Sequence, residues 1–106
     1  MRYIGERSND PALLVMTSLA DGPKHGYAIT TDVEDFAGVR LGPGTLYGAL
    51  SRLEAKGLIE ALPADDRRRP YRLTAEGSAT LEQELQKLKS VTTRGLARLQ
   101  TAAVAR

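Results

Sequence analysis

Apolar residues recur along four stretches of the chain with spacings that predict the buried faces of regular elements. The first stretch, residues 12–20, is apolar almost throughout, so this helix should be buried on nearly every side. Asp10 followed by Pro11 is a typical helix start, because aspartate caps free N–H groups and proline fits the first helical position. The helix should end at residues 21–23, Asp-Gly-Pro, which form a strong stop signal.

The second stretch predicts a helix that begins between residues 24 and 27, with Lys24 and His25 as its polar start, and ends at Gly38. Its apolar stripe is predicted to consist of Tyr27, Ile29 or Thr30, Val33 and Phe36. This stripe places Tyr27 in the core. Residues 39–41 are expected to form a short strand before the next helix.

The third stretch predicts a helix from Pro43 to Lys56, preceded by Gly42 and ended by Gly57. Its apolar stripe consists of Leu46, Leu50 and Leu53. Off that stripe lie Tyr47, Ser51 and Arg52. Taken alone, this segment is explained by an ordinary amphipathic helix.

The fourth stretch predicts a hairpin of two strands, residues 58–62 and 71–74. The connection, "PADDRRRP", is polar, flanked by prolines and too long for a two-residue turn, so we predict a wing-like loop. Thr74 should cap a last helix that runs from about Ala75 to beyond Leu99. The leucines with coiled-coil spacing on that helix are Leu81, Leu85, Leu88 and Leu99.

The predicted order is helix, helix, short strand, helix, strand, wing, strand and long helix. This order indicates an α+β, mostly helical fold: a winged helix-turn-helix with a long C-terminal dimerisation helix. At 106 residues the chain is long enough for one modest core, so association with a second copy would add stability.

Composition narrows the possible functions. The formal charge of +2 and a pI near 9.2 are compatible with a polyanionic partner. There is no cysteine, one histidine and no clustering of carboxylates, so we expect no catalytic site, no metal and no cofactor. No apolar run is long enough to cross a bilayer, and the first ten residues lack the apolar core of a secretion signal. We therefore expect a cytoplasmic protein that is not an enzyme and has no membrane partner.

Three motifs, in order, resemble those of PadR-like transcriptional regulators, especially the short kind with one long C-terminal helix. They are "ALLVMTSLADGPKHGYAI", "LGPGTLYGALSRLEAKGLIE" and "RRRPYRLTAEG", and together they cover roughly residues 11–80. The second motif is the most specific. The sequence departs from the family pattern at Gly42, where serine is usual, and at Gly48, where a larger and often basic residue is common.

The resemblance implies a homodimeric repressor that binds double-stranded DNA at an inverted-repeat operator. It implies that the third helix is the recognition helix and that "DDRRR" is the wing. Residues 1–74 would form the winged helix-turn-helix DNA-binding domain, and residues 75–106 the dimerisation helix of the same compact unit. The sequence leaves open whether a small-molecule effector exists.

Several side chains are candidates for contact with DNA. Tyr47 can donate to a phosphate, and Thr45 can touch a phosphate or a thymine methyl group. Wing arginines can bind phosphates or enter the minor groove, although Asp65 and Asp66 are expected to pair with them in the free protein. For Arg52, a solvated surface role near Glu54 or Glu60 is an equal alternative. The candidate DNA-binding residues are Lys24, Pro43, Gly44, Thr45, Tyr47, Arg52, Arg67, Arg68 and Arg69.

Dimerisation is expected to use apolar residues of the first and last helices, because a small winged domain offers the last helix no other surface to cover. The candidates are Leu13, Leu14, Leu81, Leu85, Leu88 and Leu99. The modest net charge and the small residue at Gly48 also support an alternative from a different class: a winged-helix module that binds another protein and not DNA.

Overall fold

The computed structural model describes residues 9–105, the last of them by its backbone alone. Within this range the chain forms four helices and a three-stranded antiparallel sheet in the order β1-β3-β2. The elements are α1 (Pro11–Leu19), β1 (Lys24–His25), α2 (Gly26–Ala37), α3 (Pro43–Ala55), β2 (Ile59–Ala61), β3 (Pro70–Leu73) and α4 (Ala75–Ala105). This is the winged helix-turn-helix arrangement with a long C-terminal helix that the sequence predicts.

Helix α1 lies at the centre of the core, as its apolar sequence predicts. Asp10 caps the helix by accepting a 2.9 Å hydrogen bond from the N–H of Ala12, and Pro11 occupies the first turn. Leu13 and Leu14 are both buried among the core residues of the chain itself. Since their side chains already have partners there, the expected role of these two leucines in dimerisation loses its basis.

The short strand is not where the sequence predicts it. Residues 39–41 form no strand, whereas Lys24 and His25, predicted as the first turn of α2, form β1. Lys24 pairs with Tyr71 and His25 with Pro70. The prediction failed because a two-residue strand has almost no local pattern, and this one is stabilised by a strand more than 40 residues further along the chain.

Helix α2 buries a narrower face than its apolar residues suggest. Ile29 and Val33 are buried, but Tyr27 is 75% exposed and Phe36 is 45% exposed. Tyr27 precedes Ile29 by two residues, about 200° around a helix, so the two side chains point in nearly opposite directions. The prediction that Tyr27 lies in the core is therefore wrong.

Helix α3 matches its prediction closely. Leu46, Leu50 and Leu53 are buried, and the helix ends one residue before Lys56. Gly57 follows with a φ of 75°, in the left-handed region that suits glycine. The apolar stripe therefore fixes which side of α3 faces solvent.

The wing is a tighter hairpin than predicted. Asp65 and Arg68 pair through two backbone hydrogen bonds of 2.7 and 2.9 Å, which leaves Asp66 and Arg67 as a two-residue turn. Both central residues have positive φ, 51° and 68°, as the type I′ turn of a hairpin requires. The sequence did not predict this turn, because neither central residue is the glycine that usually marks it.

Helix α4 begins as predicted and packs unusually close to the start of β2. The Oγ1 of Thr74 accepts a 3.0 Å hydrogen bond from the N–H of Gly77. A Cβ built on Gly77 would overlap the carbonyl group of Leu58, so only glycine fits there. Leu81 is buried in the core of the same chain, which corrects the expectation that α4 has no surface there to cover.

Candidate nucleic-acid interface

The wing, the start of α2 and the start of α3 meet around one cavity of about 280 Å³. The cavity is lined by His25, Gly26, Tyr27, Tyr47, Arg67, Arg68, Arg69 and Tyr71. Three of these residues carry guanidinium groups and three carry phenolic hydroxyls, and no carboxylate lines the cavity. Such a cavity is suited to an anion that accepts several hydrogen bonds.

The wing arginines are largely unengaged within the protein. Arg68 Nη1 lies 3.3 Å from Nε2 of His25. Arg67 and Arg69 make no hydrogen bond or ion pair from their side chains to any residue that the structure describes. The expected ion pairs of the Asp65 and Asp66 carboxylates with these arginines do not occur among the described residues, so the guanidinium groups of Arg67 and Arg69 keep their donors for a partner.

Tyr47 is positioned by the absence of a side chain at Gly26. A Cβ built on Gly26 would lie 2.7 Å from the Tyr47 hydroxyl and 3.3 Å from Cδ2 of Leu46. The aromatic ring therefore lies against the backbone at the start of α2. Its hydroxyl has no hydrogen-bond partner among residues 9–104, and the side chain is 55% exposed. Tyr47 can donate outward without losing an internal contact.

Tyr27 is a site residue that sequence reasoning missed. It lines the same cavity and also a groove of about 520 Å³ between α2 and the start of α3. At the other end of that groove, Arg40 donates a 2.8 Å hydrogen bond to Glu34, and this contact raises the pKa of Arg40. Tyr27 lies about 200° around α2 from Ile29, and this angle would have identified Tyr27 as exposed.

The outward face of α3 is centred on small residues. At 100° per residue, the direction opposite the leucine stripe is occupied by Gly44, Gly48, Ser51 and Ala55. Pro43 and Thr45 are exposed in the first turn. The helix backbone can therefore approach a flat or grooved partner closely.

Arg52 lies across this small-residue face. A Cβ built on Gly48 would lie 3.2 Å from Nη1 of Arg52, so the glycine leaves room for the guanidinium group. Glu60 pairs with Arg72 on the neighbouring strand, so it does not neutralise Arg52 as the sequence suggested. Arg52 makes no ion pair with Glu54 or any other residue in the described part of the chain.

Lys24 is the one predicted interface residue that is held elsewhere. Its Nζ donates to the carbonyl oxygen of Ser18 and to Oδ1 of Asp21 at the end of α1. The hydrogen bond from Lys24, together with its charge, lowers the pKa of Asp21. Lys24 is not among the residues that line the cavity, so its expected contact with a phosphate has no support from its position.

No group of three or more histidines, cysteines or acidic residues in residues 9–105 is arranged to hold a metal ion. None of the helices described is long and apolar enough to cross a membrane.

Known families provide the decisive comparison. The sequence pattern of the transcriptional regulator PadR-like family matches residues 15–83, which include α2, α3 and the whole wing. The chain belongs to this family. The family resemblance inferred from the three motifs is thereby confirmed.

A relative that is named as a transcriptional regulator is consistent with this assignment. The chain is 39% identical over 82 residues to the transcriptional regulator Rv3488 of Mycobacterium tuberculosis, covering 74% of this chain and 76% of that protein. It is 55% identical over 78 residues to an uncharacterized 37.1 kDa protein in transposon Tn4556 of Streptomyces fradiae. That match covers 74% of this chain but only 23% of the transposon protein.

A solved structure supports both family and fold. A PadR family transcription regulator from Clostridium difficile is 32% identical, with a TM-score of 0.68. The match covers 81% of this chain and 97% of that one. The chain thus has the fold of the PadR family to which it belongs, and the candidate interface residues lie within the matched residues 15–83.

Proposed function

We propose that this PadR-family protein is a transcriptional repressor that binds double-stranded DNA at an inverted-repeat operator as a homodimer. In this proposal α3 enters the major groove and the wing grips the flanking backbone. Residues 1–74 form the DNA-binding unit, and residues 75–106 form the dimerisation helix of the same compact unit. Residues 1–8 and residue 106, which this division includes, lie outside the described residues.

The observation that carries the proposal is the cavity between the wing and α3. It brings together three arginines, three tyrosines and a histidine, without a carboxylate. The hydroxyl of Tyr47 and the guanidinium groups of Arg67 and Arg69 have no partner in the described part of the protein. A DNA backbone phosphate is the partner that uses guanidinium and phenol donors together.

The shape of α3 supports the same proposal. A helix reads DNA by lying in the major groove, where its first turns contact base edges. The exposed first turn offers Pro43, Gly44 and Thr45, and the small outward face allows a close approach. With few long side chains on that face, we expect phosphate contacts and DNA shape to contribute much of the selectivity.

The proposed dimer rests on the exposed apolar stripe of α4. At 100° per residue, Leu85, Leu88, Leu96 and Leu99 fall within an arc of about 80°. Leu88 is partly buried against the protomer core, whereas Leu96 is 63% exposed and Leu99 is 70% exposed. A second copy of the same stripe would cover these leucines. Leu96 was not among the sequence-based candidates.

A mobility-shift experiment tests the proposed function. Labelled DNA from the region upstream of the protein's own gene is titrated with the protein, in the presence of excess unrelated DNA of equal length. We expect a discrete complex that survives this competition. If no complex forms even at low salt, DNA binding is disproved, and the alternative of a winged-helix module that binds another protein gains support.

A further inference from the structure

His25 occupies a position between two donors that a neutral imidazole cannot satisfy together. The N–H of Ala28 lies 3.4 Å from Nδ1 and caps the start of α2. On the other side of the ring, Arg68 Nη1 lies 3.3 Å from Nε2. A neutral imidazole has one nitrogen that accepts and one that donates. One tautomer therefore caps α2 and the other accepts from the wing.

The contact with Arg68 crosses from one part of the interface to another. His25 belongs to β1 and the start of α2, next to Gly26, on which Tyr47 packs. Arg68 belongs to the wing, 43 residues further along the chain, and its backbone is fixed by pairing with Asp65. In the described residues, the start of α2 is connected to the wing in two ways: by the pairing of β1 with β3, and by this contact between His25 and Arg68.

We infer that His25 is a positioning residue for DNA binding: in the tautomer protonated at Nδ1 it accepts from Arg68 and holds this guanidinium at the cavity beside Tyr47. This inference rests on the proposed DNA-binding function. An exposed arginine loses rotamer freedom when it is held by a phosphate. A contact that restricts the side chain beforehand reduces that loss and so strengthens binding.

Two substitutions separate the two roles of the ring. The side-chain oxygen of asparagine is as many bonds from Cβ as Nδ1, so His25→Asn keeps an acceptor for the helix cap and cannot reach the wing. The side-chain oxygen of glutamine is as many bonds from Cβ as Nε2, so His25→Gln keeps an acceptor for Arg68 but caps poorly. Neither substitution introduces a charge.

The test measures DNA affinity and thermal unfolding for the full chain and these variants. We expect His25→Asn to bind DNA roughly fivefold more weakly, the loss of about one hydrogen bond, with an unchanged or higher unfolding midpoint. His25→Gln should recover most of that affinity while unfolding at a lower temperature. A merely structural role would instead make affinity follow stability.

A double-mutant cycle makes the test decisive. In a protein that already carries Arg68→Ala, His25→Asn should cause no further loss, because the contact it removes is gone. The inference is overturned if His25→Asn binds like the wild type, or if its loss persists in the Arg68→Ala protein.

A readout without DNA separates this inference from the proposed function. The ¹⁵N shifts of the two ring nitrogens, recorded at alkaline pH, report the tautomer of an imidazole. Arg68→Ala should shift His25 toward the tautomer protonated at Nε2, which caps α2. An unchanged ratio overturns the contact even if the wild type binds DNA. If Arg68→Ala changes the tautomer ratio as expected but the wild type binds no DNA, the contact stands and only the proposed function is disproved.

Discussion

Tyr47 and Tyr27 show which single residues of the candidate site could be recognised from the sequence and which could not. Tyr47 lies off a clear leucine stripe, so its exposure was predictable. Tyr27 was misplaced because its size and its position near apolar neighbours were given more weight than its angle around the helix. Both rings are exposed because α2 and α3 turn their aliphatic faces toward the core around α1, where Val33 and Leu46 are buried.

Tyr47→Phe tests the residue at the centre of the interface. The ring packs on Gly26 and stays in place, whereas the hydroxyl, which has no internal partner in the described chain, is removed. We expect DNA binding to weaken by about 1–3 kcal/mol, as for a lost hydrogen bond to a charged acceptor. The unfolding midpoint should stay unchanged, and undiminished affinity in a titration would exclude a phosphate contact by this hydroxyl.

At the scale of elements, the sequence predicted those helices and turns whose signals lie within the segment itself. The ends of α3 were predicted to within one residue, because a proline start, a leucine stripe and a left-handed glycine all lie inside the segment. The strand formed by Lys24 and His25 was missed because its partner is distant in sequence. The tight turn at Asp66 and Arg67 was missed because its residues do not carry the usual glycine signal.

The junction of α4 with β2 gives a stability prediction with a matched control. Gly77→Ala introduces a Cβ that overlaps the carbonyl oxygen of Leu58 and lies 2.9 Å from its carbonyl carbon. Because backbone must move to make room, we expect a loss of about 1–3 kcal/mol in the free energy of unfolding. Gly95, in the same helix, has nothing near it within its own chain but borders the stripe proposed for the dimer. In a protein that carries Leu96→Glu and Leu99→Glu, which should be monomeric, Gly95→Ala should stabilise by about 0.5–1 kcal/mol.

Urea unfolding of the two variants checks this contrast. The two substitutions add the same methyl group to the same helix, so any difference between them reflects packing. A Gly77→Ala protein as stable as the wild type would mean that α4 does not pack against the start of β2 as closely as described.

At the scale of the whole molecule, α4 determines the shape. Its 31 residues extend about 46 Å, and the chain measures 60 Å along its longest axis. An isolated helix of this kind gains little stability from propensity alone, and its second half contacts little of its own protomer. The sequence predicted the helix and its leucine spacing. It could not predict that Leu81 is covered by the core whereas Leu99 is not, because the burial depends on where α1 and β3 pack against α4.

The exposed stripe predicts a dimer that charged substitutions should break. Leu96→Glu combined with Leu99→Glu places four carboxylates in the proposed interface, so we expect a monomer by sedimentation equilibrium at tens of micromolar. Ser90→Glu combined with Ala97→Glu adds the same charge on the opposite side of α4 and should leave the dimer intact. A wild type that sediments as a monomer at this concentration would contradict the proposed interface.

A two-fold dimer also predicts the form of the operator. Two equal copies of α3 should bind two half-sites that are inverted repeats, with centres about one helical turn of DNA, or a multiple of it, apart. Hydroxyl-radical footprinting of the upstream DNA should show two protected regions related by symmetry. A single undivided protected half-site would be inconsistent with binding as a dimer.

The central claim is that the wing and α3 together bind the DNA backbone, and salt dependence tests it most directly. Replacing Arg67, Arg68 and Arg69 by alanine removes up to six charges from a dimer. Each lost phosphate contact reduces the magnitude of the negative slope of log affinity against log salt by about 0.9. We expect the variant to lose roughly two to four units of slope, because not every arginine need touch a phosphate. Tyr47→Phe, which removes no charge, should keep the wild-type slope. If the triple-alanine protein also keeps the wild-type slope, the arginines are a solvated loop and the proposed interface is wrong.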